Sequence, residues 1–246
     1  MLKLRVSGGE NLKRFAALAL AVMMAVGAAG CFESGSGNDS SDVPGKLSNS
    51  SLGVGYSGIE KRMIKTLEGT CSAKEMSPGN KQKFIQDSDE NFDKCFDGSV
   101  YVTLTPEDIL SIYRIDDIDR SISPDNVENM FMFRKTEKKK YIDVRVYELS
   151  DEKFAQKAFI SMEDSLEEEQ DQFGDEMVKF KENDTNLTYM YDFYGITAYG
   201  YYEINGKTIT SVAFFGNSED DLYDEFCDFL GKMKYTDMVD FMDEVD

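Results

Sequence analysis

Oxygen-bearing side chains recur at alternate positions in one stretch of the chain: Asp87, Asp89, Asn91 and Asp93, with Asp97 close behind. Such spacing opens the calcium loop of an EF-hand, which also requires Gly at its sixth position and a bidentate Glu at its twelfth. Those positions hold Phe92 and Gly98, so a true EF-hand is rejected. A looser calcium site built from the same five oxygen donors stays open. Gly53, Gly55 and Gly58 satisfy G-x-G-x-x-G, but that motif needs a buried strand ahead of its glycines. Lys46 to Leu52 is polar tether instead, and the match is read as coincidence. The chain has no His, which removes Ser-His-Asp and Cys-His catalysis and every His-ligated zinc or haem site. No Ser-x-x-Lys signature is recognised in a suitable strand-to-helix context. Carboxylates suited to glycoside hydrolysis are so abundant that no pair stands out. No catalytic residue and no cofactor is assigned.

Two further sets of residues could make contacts or bonds. Of the 4 cysteines, Cys71 and Cys95 flank a loop-rich stretch and could be bridged outside the cytoplasm, whereas Cys227 sits at the edge of an apolar helical stripe and reads as a buried thiol. Tyr189, Tyr191, Tyr194, Tyr199, Tyr201 and Tyr202 crowd neighbouring strands. Exposed tyrosines can stack on sugars or offer contact area to a peptide, and Tyr199 and Tyr201 are the candidates for ligand contact. If they bind, they should lie on the sheet face turned away from the final helix. The plainer reading is that aromatic residues suit strands.

The fourth cysteine has a different setting. Lys13-Arg14 closes a basic N-terminal region, and Ala16 to Ala29 is an unbroken apolar run. That run is short for a membrane span and has the length of a signal-peptide core. Ala28-Ala29-Gly30-Cys31 follows. Here the sequence resembles the lipobox of bacterial lipoproteins, with Ala29 and Gly30 as the small residues before the cysteine and Ala28 where Leu is usual. The resemblance covers about thirty residues and implies three things: cleavage before Cys31, a diacylglyceryl or palmitate-bearing anchor on its sulfur, and a place on the extracytoplasmic face of the cell membrane. Residues 32–57 are rich in Ser, Gly and Asn and read as a tether reaching on the order of 25–30 Å.

Bulk composition narrows the partners. Net charge is −20, and removing the basic leader would make the remainder more negative still. Such a chain repels phosphate backbones, so no nucleic-acid partner is expected, while an envelope protein or a basic ligand suits it. Hydrophobic content of 41% and aromatic content of 12% are enough for a packed core.

The elements follow from periodicity. Ile59, Met63, Ile64 and Leu67 predict a short helix, and the stretch to Gly98 reads as loop-rich, a subdomain or a cover on the main fold. Val100 to Leu104 predicts a strand, and Thr105-Pro106-Glu107-Asp108 a helix start repeated at Ser123-Pro124-Asp125. Met130 to Arg134 and Tyr141 to Tyr147 predict a hairpin with Ile142, Val144 and Val146 on one face. A helix capped by Ser150 should run to about Gln172, apolar along Phe154, Ala158, Phe159, Met162 and Leu166 and acidic opposite, at Glu167, Glu168 and Glu169. Strands at 177–181, 188–194 and 197–204 follow. The Asn205-Gly206 turn then leads into 207–215, and a last helix carries Leu222, Phe226, Phe229, Leu230 and Met233.

The expected organisation is a signal peptide at 1–30, lipidated Cys31 and tether at 31–57, a helix and loop-rich segment at 58–98, and an α+β domain at 99–246. Its fold class is an antiparallel sheet with helices packed on one face. The function expected is a membrane-anchored, non-enzymatic binding or accessory module. The alternatives are a cell-wall or sugar-polymer hydrolase using paired carboxylates, and a calcium-responsive structural module.

Overall fold

The computed structural model describes residues 55–86, 94–112, 122–137, 140–182, 184–193, 195–217, 222–233 and 235. Strands are β1 (Lys74–Glu75), β2 (Ser99–Leu104), β3 (Val127–Thr136), β4 (Tyr141–Leu149), β5 (Val178–Glu182), β6 (Asn186–Phe193), β7 (Ile196–Asn205) and β8 (Thr208–Asn217). Helices are α1 (Tyr56–Cys71), α2 (Pro78–Gln86), α3 (Pro106–Ile112), α4 (Glu152–Phe173) and α5 (Leu222–Met233).

All eight strands form one sheet in the order β1-β2-β3-β4-β8-β7-β6-β5. Only β1 runs parallel to its neighbour; every other pair is antiparallel. The fold is α+β, as composition and periodicity imply. Asn205-Gly206 makes the β7–β8 turn, with Gly206 at φ 58°, a left-handed conformation that glycine adopts without strain.

One expectation is corrected. Helices cover both faces of the sheet, so there are three layers rather than two. On the first face Val102, Leu104, Met130, Met132, Tyr147 and Ile209 pack against Phe84 of α2, Ile109 of α3 and Ala155, Phe159 and Leu166 of α4. On the second, Phe131, Phe133, Val144, Val146, Val212 and Phe214 pack against Met63 and Leu67 of α1 and Phe226 and Leu230 of α5. The physical reason is that the central strands are apolar at consecutive positions. Met130-Phe131-Met132-Phe133 and Val212-Ala213-Phe214-Phe215 bury side chains in both directions, and each face needs its own cover.

The segment before Ser99 is part of this fold. Its β1 joins the sheet edge and its α1 and α2 belong to the two cores, so it serves as a cover with a regular helix in what read as loop. Asp151, not Ser150, caps α4 by accepting from the Lys153 N–H, and Ala155 rather than the half-exposed Phe154 faces the core.

The start of α3 forms as its sequence directs. Asp108 N–H donates to Thr105 Oγ1 and Thr105 N–H to the Asp108 carboxylate, at 3.4 and 3.0 Å. Lys81 of α2 adds a 3.0 Å ion pair to Asp108, joining the two helices. Removing the cap hydroxyl in Thr105→Ala should cost about 1 kcal/mol, read as a lower denaturant midpoint at unchanged slope.

Candidate functional site

The residues singled out from sequence do not assemble. Cys31, Asp87, Asp89, Asn91 and Asp93 lie outside the described residues. Asp97 is exposed, and among the described residues no group of three or more His, Cys, Asp or Glu is placed to hold a metal ion. Cys71 and Cys95 are free thiols, which corrects the expected bridge. Cys71 ends α1 with its sulfur beside Thr70 Oγ1, while the Cys95 thiol donates to the Asn80 carbonyl at the start of α2. Their side chains are committed to different elements. Cys227 too is in no disulfide, at the margin of the second core.

The described tyrosines belong to the two cores or pack against them. Tyr199 and Tyr201 point to the second face, beneath the final helix and not away from it. Tyr199 stacks on Phe226 at 5.9 Å, and Tyr201 lies 4.9 Å from the ring of Tyr235. Tyr189, Tyr191 and Tyr202 alternate to the first face and are buried there. Tyr194 lies outside the described residues; among the other five no exposed ring stands on the sheet, and Tyr199 and Tyr201 pack beneath α5.

A Ser-x-x-Lys sequence does occur at a strand-to-helix junction, Ser150 to Lys153 between β4 and α4. The fold disarms it. Ser150 precedes the helix cap, both side chains are exposed, and no hydrogen bond joins them. A nucleophile needs its base within hydrogen-bond reach.

Three ionisable groupings on the first face were not anticipated. Arg134 and Asp143 are directly paired across β3 and β4, and Arg145 lies two residues further along β4 on the same face. Asp143 Oδ2 accepts from Arg134 Nε at 3.1 Å and Nη2 at 2.7 Å, while Oδ1 accepts from Arg145 Nε at 2.8 Å. The three side chains retain only 10–12% exposure. Burial alone would raise the Asp143 pKa, but Arg145 and Arg134 outweigh it and hold the carboxyl below the usual carboxylate range. Ionised and saturated with donors, Asp143 has no proton to give and little basicity to offer. The cluster pins the hairpin; it does not catalyse.

Glu169 is the second. It belongs to the acidic run expected to face water, yet it is 1% exposed and accepts a hydrogen bond from the Tyr191 hydroxyl. Burial pushes its pKa up to about 7, with the Tyr191 bond pulling only partly the other way. A carboxyl poised near neutrality is the property sought in a general acid or base. Sealed between α4 and β6, this one has no open side for a substrate.

The third is Glu163 of α4 with Glu182 of β5. Burial first, then the hydrogen bond and charge of Glu182, raise the Glu163 pKa. Two carboxyls sharing a hydrogen bond lie closer than the roughly 5 Å that even a retaining glycosidase requires. The pair does not fit that reaction.

Comparison with protein-family models finds no match, and neither does comparison with curated protein sequences. Among solved structures, the extracellular domain of PknH from Mycobacterium tuberculosis aligns at 7% identity over 44% of this chain, with a TM-score of 0.28. The alignment spans 66% of that domain, just under two thirds of its length. At that score the likeness carries no argument about this chain.

Proposed function

We propose that the chain is a lipid-anchored extracytoplasmic lipoprotein whose α+β domain is a non-enzymatic binding or accessory module of the cell envelope. The observation that supports this reading is the order of parts before the fold: Lys13-Arg14, the apolar run 16–29, Ala29-Gly30-Cys31, then a polar tether. Among the described residues the first element is α1, which starts at Tyr56, and that side chain is already buried. Among the described residues no helix is long and apolar enough to cross a membrane. The anchor in this reading is hydrocarbon on Cys31. The non-enzymatic half rests on the site geometry. Asp143 is neutralised, Glu169 is sealed, Glu163 and Glu182 are too close, and Ser150 has no base.

The test is expression of the full chain in a lipoprotein-processing bacterium fed an alkyne fatty acid. The wild type should carry the label, gain acyl mass at a Cys31 N-terminus and sediment with membranes. Cys31→Ser should carry no label, and its membrane fraction should fall by at least about 100-fold, because each buried methylene contributes about 0.8 kcal/mol. An unlabelled, unprocessed wild type would end the proposal. Cross-linking on intact cells then identifies the envelope partner, for which a basic surface is expected.

A further inference from the structure

The second half of α4 is held in an unusual way. From Ala158 to Val178 the chain contains no Lys or Arg, while Glu163, Asp164, Glu167, Glu168, Glu169 and Asp171 crowd the helix. Its last turn carries no basic residue to complement the negative end of the helix dipole. Yet this half packs on the β5–β6 edge. Leu166 is fully buried over a floor that includes Val178, Leu187, Tyr189 and Tyr191. Gln170 Nε2 donates to the Val178 carbonyl at 3.1 Å. Gly174 ends the helix at φ 89°, a conformation that suits glycine, and the short 174–177 turn leads from it into β5.

We infer that the C-terminal half of α4 is a pH-sensitive flap, held on the β5–β6 edge by protonated Glu169 against Tyr191 and lifted when that carboxyl ionises. A carboxylate buried with one neutral donor is poorly compensated. The groups facing it offer no cation. β6 presents Tyr189 and Tyr191, and β7 presents Tyr202. β5 presents Glu182, already engaged with Glu163 beside Asp164. On β4, Asp143 and Arg145 are bound to each other, and neither contributes to Glu169, whose ionisation responds to burial and Tyr191 alone. Both carboxyl contacts between α4 and the edge have raised pKa values, so both favour the docked helix at low pH and oppose it at high pH. Lifting hydrates the carboxylates and bares the apolar floor.

Hydrogen exchange of the full chain, corrected for intrinsic rates, tests this. The local opening equilibrium should grow on the order of 100-fold from pH 5 to pH 8 in peptides covering 166–173 and 178–182. Peptides from β3 and β4 should not follow. Glu169→Gln keeps an acceptor for Tyr191 without a charge, and should flatten the rise. Glu163→Gln should reduce it. A wild type whose α4 and β5 protection is independent of pH, or tracks β3 and β4, overturns the flap. So does a folded Glu169→Gln variant with the wild-type rise. If that variant fails to fold, the wild-type profile still decides.

Discussion

Asp143→Ala should lower the unfolding free energy by about 3–5 kcal/mol, the range observed when one partner of a buried ion pair is removed. The loss comes less from the missing attraction than from what is left behind. Arg134 and Arg145 remain as two guanidinium groups beside each other, both side chains nearly nine-tenths out of water and the carboxylate they share gone. Asp143→Asn should restore only part of the loss, because an amide supplies acceptor geometry but no countercharge. Chemical denaturation at two salt concentrations is the measurement. The deficit should persist at high salt, since buried charges are screened far less than exposed ones. A cost below about 1 kcal/mol, or one removed by salt, would mean the cluster is solvated.

Asp143 and Glu169 pull the pH dependence in opposite directions. The folded Asp143 pKa is depressed below the ordinary aspartate value of 3.8, so its contribution is complete above that value and is lost as pH falls through the folded one. The folded Glu169 pKa is raised from 4.5 to about 7. Between those values the unfolded chain has released a proton that the fold retains, so stability declines as pH rises and levels off above about 7. The full decline corresponds to about 3 kcal/mol. From these two groups the optimum lies on the mildly acidic side.

Much of this fold was legible, and the failures have particular causes. Strand positions, the Asn205-Gly206 turn and the α5 stripe follow from local chemistry, which acts alike in any context. Two-sided burial was also written in the sequence, in consecutive apolar residues such as Phe131-Met132-Phe133. Alternation at Ile142, Val144 and Val146 drew attention to one face only. Glu169 misled through its type. Its position, three residues after Leu166, continues the buried stripe, but a carboxylate among carboxylates reads as solvated. The Arg134–Asp143 contact depended on hairpin register, which sets which residues meet across the β3–β4 pair. The cysteine pairing failed because spacing along the chain says nothing of where Cys71 and Cys95 point.

Gly200→Ala should destabilise the fold by about 3 kcal/mol, at the upper end of the usual range for overpacking. Gly200 pairs directly with Tyr189 across β7 and β6, and the phenol lies over its backbone. A Cβ built there would sit 1.9 Å from Tyr189 Cζ and 2.3 Å from Cε1 and Cε2, so the ring must leave. It has nowhere cheap to go. Tyr189 is 3% exposed, packs edge-on to Tyr191 at 5.5 Å, and stands in the floor beneath α4. Glycine in a strand ordinarily weakens it, and here the missing side chain is replaced by the neighbour's ring. A double-mutant cycle isolates the contact. Tyr189→Ala alone should be costly through the cavity it opens. In that background Gly200→Ala should cost less than about 1 kcal/mol, giving a coupling of about 2 kcal/mol or more. Strictly additive losses in denaturant titrations would show that the ring and the glycine are independent, and that some other strain sets the cost of the methyl group.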